Sequence, residues 1–270
     1  MKTNFLSLIF ACLLVVGCSS DDTNSGETNN ANYMPLTDGN SWTYSNTRTV
    51  NDDPQPRSVN QQETLTANSS GQNQFTFTSN QPEDNQGLFT GVLSKGSLSK
   101  SGTKLLYTGT YTVNMQDLGF DPVDIDLENV VIFDANAGNN ETLTTESGTI
   151  NQTVDVQGQN IPFTINYTIA TTQQEILNTY DVAGTIYDDV LVSALDVHLE
   201  VKADFGIASF DVLAEQNVLK SINYFGSDVG MIYSTNAINY EFEDLTAYGL
   251  MYIEPIEIQS TQSIESHIIN

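Results

Sequence analysis

Between Ile161 and Ile169, in the stretch IPFTINYTI, every odd position carries a large apolar side chain and every even position a smaller or polar one. A period of two is the mark of a β-strand with one buried face, and Pro162 is tolerated because it falls among the first residues. The turn residues Gly158, Gln159 and Asn160 precede this stretch, and Ile150–Val156 supplies its hairpin partner. The same alternation sets Val123, Ile125 and Leu127 against Asp124, Asp126 and Glu128. It also sets Leu191, Leu195, Val197, Leu199 and Val201 against Asp196, His198 and Glu200.

Further strands are expected at Ser41–Val50, Arg57–Ala67, Gln74–Ser79, Leu88–Leu93, Lys104–Val113, Val218–Phe225, Gly230–Thr235 and Tyr248–Ile258. Gly, Asn and Asp clusters such as Ala137-Gly138-Asn139-Asn140 separate many of them. Helical periodicity is weak, with a turn or two expected at Thr172–Leu177 and at Phe210–Asn217. The pattern predicts an all-β protein: one large antiparallel, strongly curved sheet or partial barrel of long strands, with minor helical turns.

The N-terminus breaks this pattern. Lys2 is followed by an apolar run from Phe5 to Val16, interrupted only by Ser7. As a helix it would be about 18 Å long, against about 30 Å of bilayer hydrocarbon, so it reads as a signal peptide rather than a span. Val15-Val16-Gly17-Cys18 resembles a bacterial lipobox, which implies cleavage before Cys18 and acylation of its thiol and new amine. Cys12 would leave with the signal, so Cys18 would have no disulfide partner in the mature chain. Ser19, not Asp, follows the cysteine, so the inner-membrane retention signal of other lipoproteins is not met. The expected organisation is a lipoprotein signal peptide at 1–17, a lipidated cysteine with a flexible acidic tether at 18–32, and a single β domain at 33–270. The acidic pair Asp21-Asp22 resembles the sorting signal of surface-exposed lipoproteins in the Bacteroidota, and it reads equally as two charges in a solvated linker. An outer-membrane lipoprotein exposed on the cell surface is expected, with a periplasm-facing one as the alternative.

Losing the signal leaves seven basic side chains against 34 acidic ones, a formal charge of −27. Such a chain repels polyanions, so nucleic acid is not an expected partner. Lys95, Lys100 and Lys104 lie close together, and no basic residue occurs between Leu105 and Val201.

The stretch Tyr33-Met34-Pro35-Leu36-Thr37-Asp38-Gly39-Asn40-Ser41-Trp42-Thr43-Tyr44 resembles the PLxxGNxWxY opening of uncharacterised Bacteroidota (flavobacterial-type) lipoproteins. Tyr187-Asp188-Asp189-Val190 and Tyr224-Phe225, followed by Val229-Gly230-Met231-Ile232, resemble later segments of the same group. The resemblance implies a lipoprotein and no particular reaction. Asp38-Gly39-Asn40 reads as a tight turn that points Trp42 and Tyr44 to one face of the first strand.

Catalytic and cofactor motifs are absent: the chain has no G-x-S-x-G, P-loop, G-x-G-x-x-G, H-E-x-x-H or C-x-x-C. No enzyme and no cofactor are therefore expected. His198 between Asp196 and Glu200 could serve as a base or metal ligand, yet more often such a face is simply solvated. His267 is expected at a frayed terminus. Asp121–Glu128 is the best calcium candidate, but alternate carboxylates stand about 7 Å apart along a strand, too far to wrap one ion, so no metal is assigned. The expected function is that of a non-enzymatic, membrane-anchored lipoprotein, held by the lipid on Cys18 and binding a small apolar or glycan ligand on its curved sheet. A structural or adhesive protein acting through its outer faces is the alternative, and a cryptic hydrolase using His198 the third reading.

Overall fold

The computed structural model describes residues 31–50, 57–113, 122–156, 159–206, 208–246 and 252–270. Cys18, Asp21, Asp22, Asp121 and Gly158 lie outside them.

Among the described residues twelve strands follow one another: β1 (Ser41–Val50), β2 (Arg57–Gly71), β3 (Gln74–Ser79), β4 (Gly96–Ser101), β5 (Lys104–Val113), β6 (Val123–Asp134), β7 (Glu141–Val156), β8 (Gln159–Val182), β9 (Thr185–Asp204), β10 (Ser209–Gly226), β11 (Gly230–Tyr240) and β12 (Ile256–Ile268). They form one antiparallel sheet in the order β6-β5-β4-β3-β2-β1-β12-β11-β10-β9-β8-β7. Sequence neighbours pair throughout except β6 with β7, and β1 also pairs with β12, so the sheet rolls into a barrel with one break, between β6 and β7. The curved, long-stranded sheet expected from the alternation is therefore present.

The break is bridged by side chains instead of a backbone ladder. Val131 N–H donates to Thr144 Oγ1 at 3.0 Å, and Thr171 Oγ1 donates to the Val131 carbonyl at 2.7 Å. Asp134 N–H reaches Gln173 Oε1 at 3.4 Å. Edge groups that would otherwise go unpaired in the wall thus find partners.

Apolar positions of the strands face the lumen. Ile161, Phe163, Ile165 and Ile169 on β8 are buried, as are Val123, Ile125 and Leu127 on β6, while Asp124, Asp126 and Glu128 are exposed. The outer wall is built from cross-strand polar pairs such as Thr149 with Asn166 and Ser147 with Thr168. This apolar-in, polar-out arrangement is the reverse of a transmembrane barrel.

Three expectations fail, each because tertiary contacts outweigh a local signal. Leu88–Leu93 is not a strand but lies in helix α1 (Leu88–Ser94), packed within the barrel. Thr172–Leu177 and Phe210–Asn217, expected as helical turns, belong to β8 and β10. Their Gln- and Glu-rich composition favours helix, but each lies beside long neighbouring strands whose ladders it completes. The last strand is displaced too. Of the strand expected at Tyr248–Ile258, residues 248–251 lie outside the described residues; β12 begins at Ile256 and runs on to Ile268, so His267 sits in a ladder opposite Trp42 and not at a frayed end.

The two ends of the barrel differ. At the end where β1 begins, the N-terminal segment folds across the opening. Asp228 N–H donates to the Asn32 carbonyl (2.9 Å), Tyr33 OH to Asp189 Oδ1 (2.8 Å), and Asn40 Nδ2 to the Pro35 carbonyl (2.7 Å). Trp42 Nε1 donates to the Val229 carbonyl at 2.6 Å and Tyr44 OH to that of Met231 at 3.1 Å. Gly230 is required here: its φ is +106°, and a Cβ would lie 2.8 Å from Trp42 Nε1. Behind this seal, a run of rings from Tyr33 through Phe133 and Phe225 to Phe89 fills the lumen, with centroid spacings of 6.1, 4.9 and 6.3 Å. Among the described residues no such seal crosses the opposite end, where β1 finishes; residues 51–56, 114–121, 157–158, 207 and 247–251, in the connections at that end, lie outside them.

Candidate site in the barrel lumen

Alternation places Trp42, Tyr44, Asn46 and Arg48 on one face of β1. Register then carries that face across the wall. Tyr44 stands opposite Glu63 on β2, Asn46 opposite Gln262 on β12, and Arg48 opposite Ser260 on β12. Ser260 in turn stands opposite Asn236 on β11. A lumen that is apolar at the closed end thus becomes polar midway along the strands.

The centre of the polar layer is Glu63, which is fully buried. Its carboxylate accepts hydrogen bonds from Asn46 Nδ2 (2.7 Å), Ser79 Oγ (2.8 Å), Gly87 N–H (2.9 Å) and Thr90 Oγ1 (2.7 Å). Burying an unpartnered carboxylate would be prohibitive; four donors, two of them on the segment that opens α1, make it an anchor for that helix. Gln262 completes the attachment. Its Oε1 accepts Phe89 N–H at 3.0 Å and Thr90 N–H at 3.4 Å, the orphan amides of a first helical turn. Its Nε2 donates to Thr90 Oγ1 at 2.9 Å and to Asn46 Oδ1 at 3.3 Å. Gly87 must be a glycine because a Cβ there would fall 1.9 Å from Gln262 Nε2. Two strands therefore cap α1 from across the lumen and hold Phe89 and Leu93 in the core.

Beyond α1, toward the end where β1 finishes, the described residues leave the lumen unfilled. Two adjoining cavities of about 520 and 420 Å³ share Arg48, Glu83, Asp84, Gly87, Leu88, Ile238 and Ile258 in their linings. Tyr111, Val113, Tyr240 and Ile256 line the larger, and Asn46, Gln61, Ser260 and Gln262 the smaller. Burial pushes the Tyr240 phenol up to about 12. Burial, with the Tyr240 phenol beside it, raises Tyr111 strongly as well. Both stay neutral at physiological pH and act as rings with a hydroxyl donor.

The residues singled out from the sequence lie elsewhere. His198 is half-buried on the outer wall, and its flanking acids are engaged: Asp196 accepts from Asn217 Nδ2 at 2.7 Å, and Glu200 accepts from Lys202 Nζ and, at 2.7 Å, from Asn166 Nδ2. The hydrogen bond from Lys202, then that from Asn166, lowers Glu200 below the usual carboxylate range. Asp124 and Asp126 accept from Thr112 Oγ1 (2.8 Å) and Thr110 Oγ1 (3.2 Å) on the neighbouring strand. Among the described residues no three His, Cys, Asp or Glu side chains converge as metal ligands would.

Sequence reasoning missed Glu63, Arg48, Asn236, Ser260 and Gln262. The signal was there: each is a polar residue at an apolar step of the alternation, as in Glu63-Thr64-Leu65-Thr66-Ala67 or Ile258-Gln259-Ser260-Thr261-Gln262-Ser263-Ile264. Comparison of the chain with protein-family models, with curated proteins and with solved structures finds no match.

Proposed function

We propose that this protein is a non-enzymatic bacterial lipoprotein, anchored through lipid on Cys18 to the outer membrane and displayed at the cell surface, that binds a small apolar or glycan ligand in its lumen. The observation that carries the binding role is the unfilled volume: protein interiors are ordinarily close-packed, and ligand sites run to about 300–1,000 Å³. The cavity of about 520 Å³, with mixed apolar and polar walls, and its neighbour of about 420 Å³, lined mostly by polar residues, fall in that range. The anchor reading rests on Lys2, the short apolar run and Val15-Val16-Gly17-Cys18. The N-terminal segment at Asn32 lies beside the sealed end, so a tether from Cys18 would set the opposite end of the barrel away from the membrane. A flexible tether of the fourteen residues 19–32 would reach roughly 20 Å.

Two measurements test this. Metabolic palmitate labelling with fractionation should find the wild type labelled and membrane-bound, and Cys18→Ser unlabelled and released or stalled in processing. An unlabelled, soluble wild type would refute the anchor. Native mass spectrometry after gentle extraction should find a copurifying small molecule that departs when the protein unfolds; an empty lumen that also accepts no lipid or sugar would refute the binding role.

A further inference from the structure

Across three adjacent strands, one cross-strand row of the lumen consists of hydrogen-bond donors that the protein leaves unused. Arg48 on β1 pairs in register with Ser260 on β12, and Ser260 with Asn236 on β11, so their side chains share one face at neighbouring positions. Asn236 is 2% exposed and its Nδ2 has no hydrogen-bond partner; Ser260 Oγ is likewise buried without one. Arg48 forms no hydrogen bond or ion pair among the described residues, although the chain has 34 acidic side chains. The row deeper in the lumen behaves otherwise: Asn46 and Gln262 spend their polar atoms on Glu63, Thr90 and each other. Buried donors are nearly always satisfied, so Ser260, unpartnered in the wall of the smaller cavity beside the exposed Arg48, marks the place of an absent acceptor; Asn236, next in the row, lines neither cavity.

The rows on the other side are apolar. One step toward the mouth, Val50 pairs with Ile258 and Ile258 with Ile238; one step further, Ile256 pairs with Tyr240. Four strand residues separate Ser260 from Ile256, about 13 Å, the extended length of about ten methylene groups. Donors at the inner end and an apolar track to the mouth describe a receptor for an amphiphile that enters head first.

We infer that the lumen binds a fatty-acid carboxylate, its head accepting from Arg48 and Ser260 and its chain lying along Ile258, Ile238, Ile256 and Tyr240. A guanidinium suits a carboxylate because its fork of N–H groups can meet both oxygens. Glu83 and Asp84 also line the cavities, and Glu83 is ion-paired with Lys95 at 3.6 Å. Their negative charge limits the head to a single anion held directly by Arg48 and disfavours multiply charged heads such as phosphate. This inference rests on the lumen-binding role proposed above and narrows its ligand.

The test uses the full chain carrying Cys18→Ser, so that no attached lipid competes. Laurate, dodecanol and a panel of neutral oligosaccharides are titrated by calorimetry. Laurate should bind at least tenfold more tightly than dodecanol. Arg48→Gln, at an exposed side chain without partners, should erase that preference by weakening laurate about tenfold and leaving dodecanol unchanged. Ser260→Ala should weaken laurate yet leave Tm unchanged or raised, because it removes a buried hydroxyl without a partner; a residue kept only for structure would lower Tm on replacement. Equal binding of laurate and dodecanol, or Arg48→Gln without effect on laurate, overturns the carboxylate assignment while the lumen-binding role stands. Binding of an oligosaccharide alone overturns it likewise, and binding of nothing overturns both.

Discussion

The sealed end of the barrel and its opposite end are made from the same twelve strands, and they handle polar groups in opposite ways. At the sealed end, each hydrogen-bonding group of Tyr33, Asn40, Trp42 and Tyr44 that reaches across the opening meets a backbone carbonyl or Asp189. The segments Tyr33–Tyr44, Tyr187–Val190, Tyr224–Phe225 and Val229–Ile232 all converge there, although they are widely separated along the chain. Toward the opposite end, among the described residues, Arg48 and Ser260 line unfilled volume without partners, and Asn236 Nδ2, next to Ser260 in register, is buried and equally unpaired. Helix α1, held by Glu63 and Gln262, separates the two regimes. Where a protein satisfies its polar groups internally it builds rigidity; where it leaves them unsatisfied it accepts a cost in stability that a ligand can offset.

The comparison can be broken most forcefully at the sealed end. Trp42→Ala removes the largest fully buried side chain and the bond to Val229, and should cost about 3–5 kcal/mol in urea unfolding. A loss below about 1 kcal/mol would mean the seal is not structural. At the boundary, Glu63→Ala strands the donors of Asn46, Ser79, Gly87 and Thr90 and should cost about 3 kcal/mol, with Glu63→Gln milder because an amide oxygen still accepts. Amide hydrogen exchange should show α1 opening first, and unchanged protection at Phe89 and Thr90 would contradict its role as anchor. Gly230→Ala forces a side chain into a left-handed backbone against Trp42 and should cost about 1–3 kcal/mol.

Alkaline titration probes both regions at once. Burial raises Tyr107 and Tyr240 to about 12, and burial together with the Glu63 charge raises Tyr44 strongly. Folding holds these protons more tightly than the unfolded chain, whose phenols ionise near 10. Their contribution is therefore complete below pH 10 and is lost as pH climbs toward and past 12. Thermal melts should be flat with respect to these groups below pH 10 and fall above it; phenolate absorbance rising near 10 without loss of structure would contradict this. The smallest effect on stability belongs to the mouth. Ile256→Ser at the half-buried rim should change unfolding free energy by less than about 0.5 kcal/mol while weakening any lumenal ligand with an apolar chain.

Much of this fold was legible along the chain because period-two alternation reports a buried face directly. Ser41–Val50, Gln74–Ser79 and Lys104–Val113 have the bounds that the pattern implies. Leu88–Leu93 was not legible. A six-residue apolar run fits a strand or a buried helix equally. The choice was made by Glu63 and Gln262, which lie 24 and 173 residues from the amides they receive at Gly87 and Phe89. The candidate site was half legible. The anomaly of Arg48, Glu63 or Asn236 on an apolar face is visible in sequence, but which anomalies satisfy one another and which are left over depends on register between distant strands.

By itself, the sequence determined the class of fold, the long strands, the polar outer wall and the features of residues 1–32 that point to a lipid anchor, because each depends on neighbours one to four positions away. Only the tertiary structure decided that β1 pairs with β12 to close the wall, that the N-terminal segment seals one end, that α1 is a helix, and that donors stand unpaired beside an unfilled lumen. Those are relations between surfaces tens to hundreds of residues apart, set by which hydrogen bonds and buried volumes can be met together once the sheet has curled.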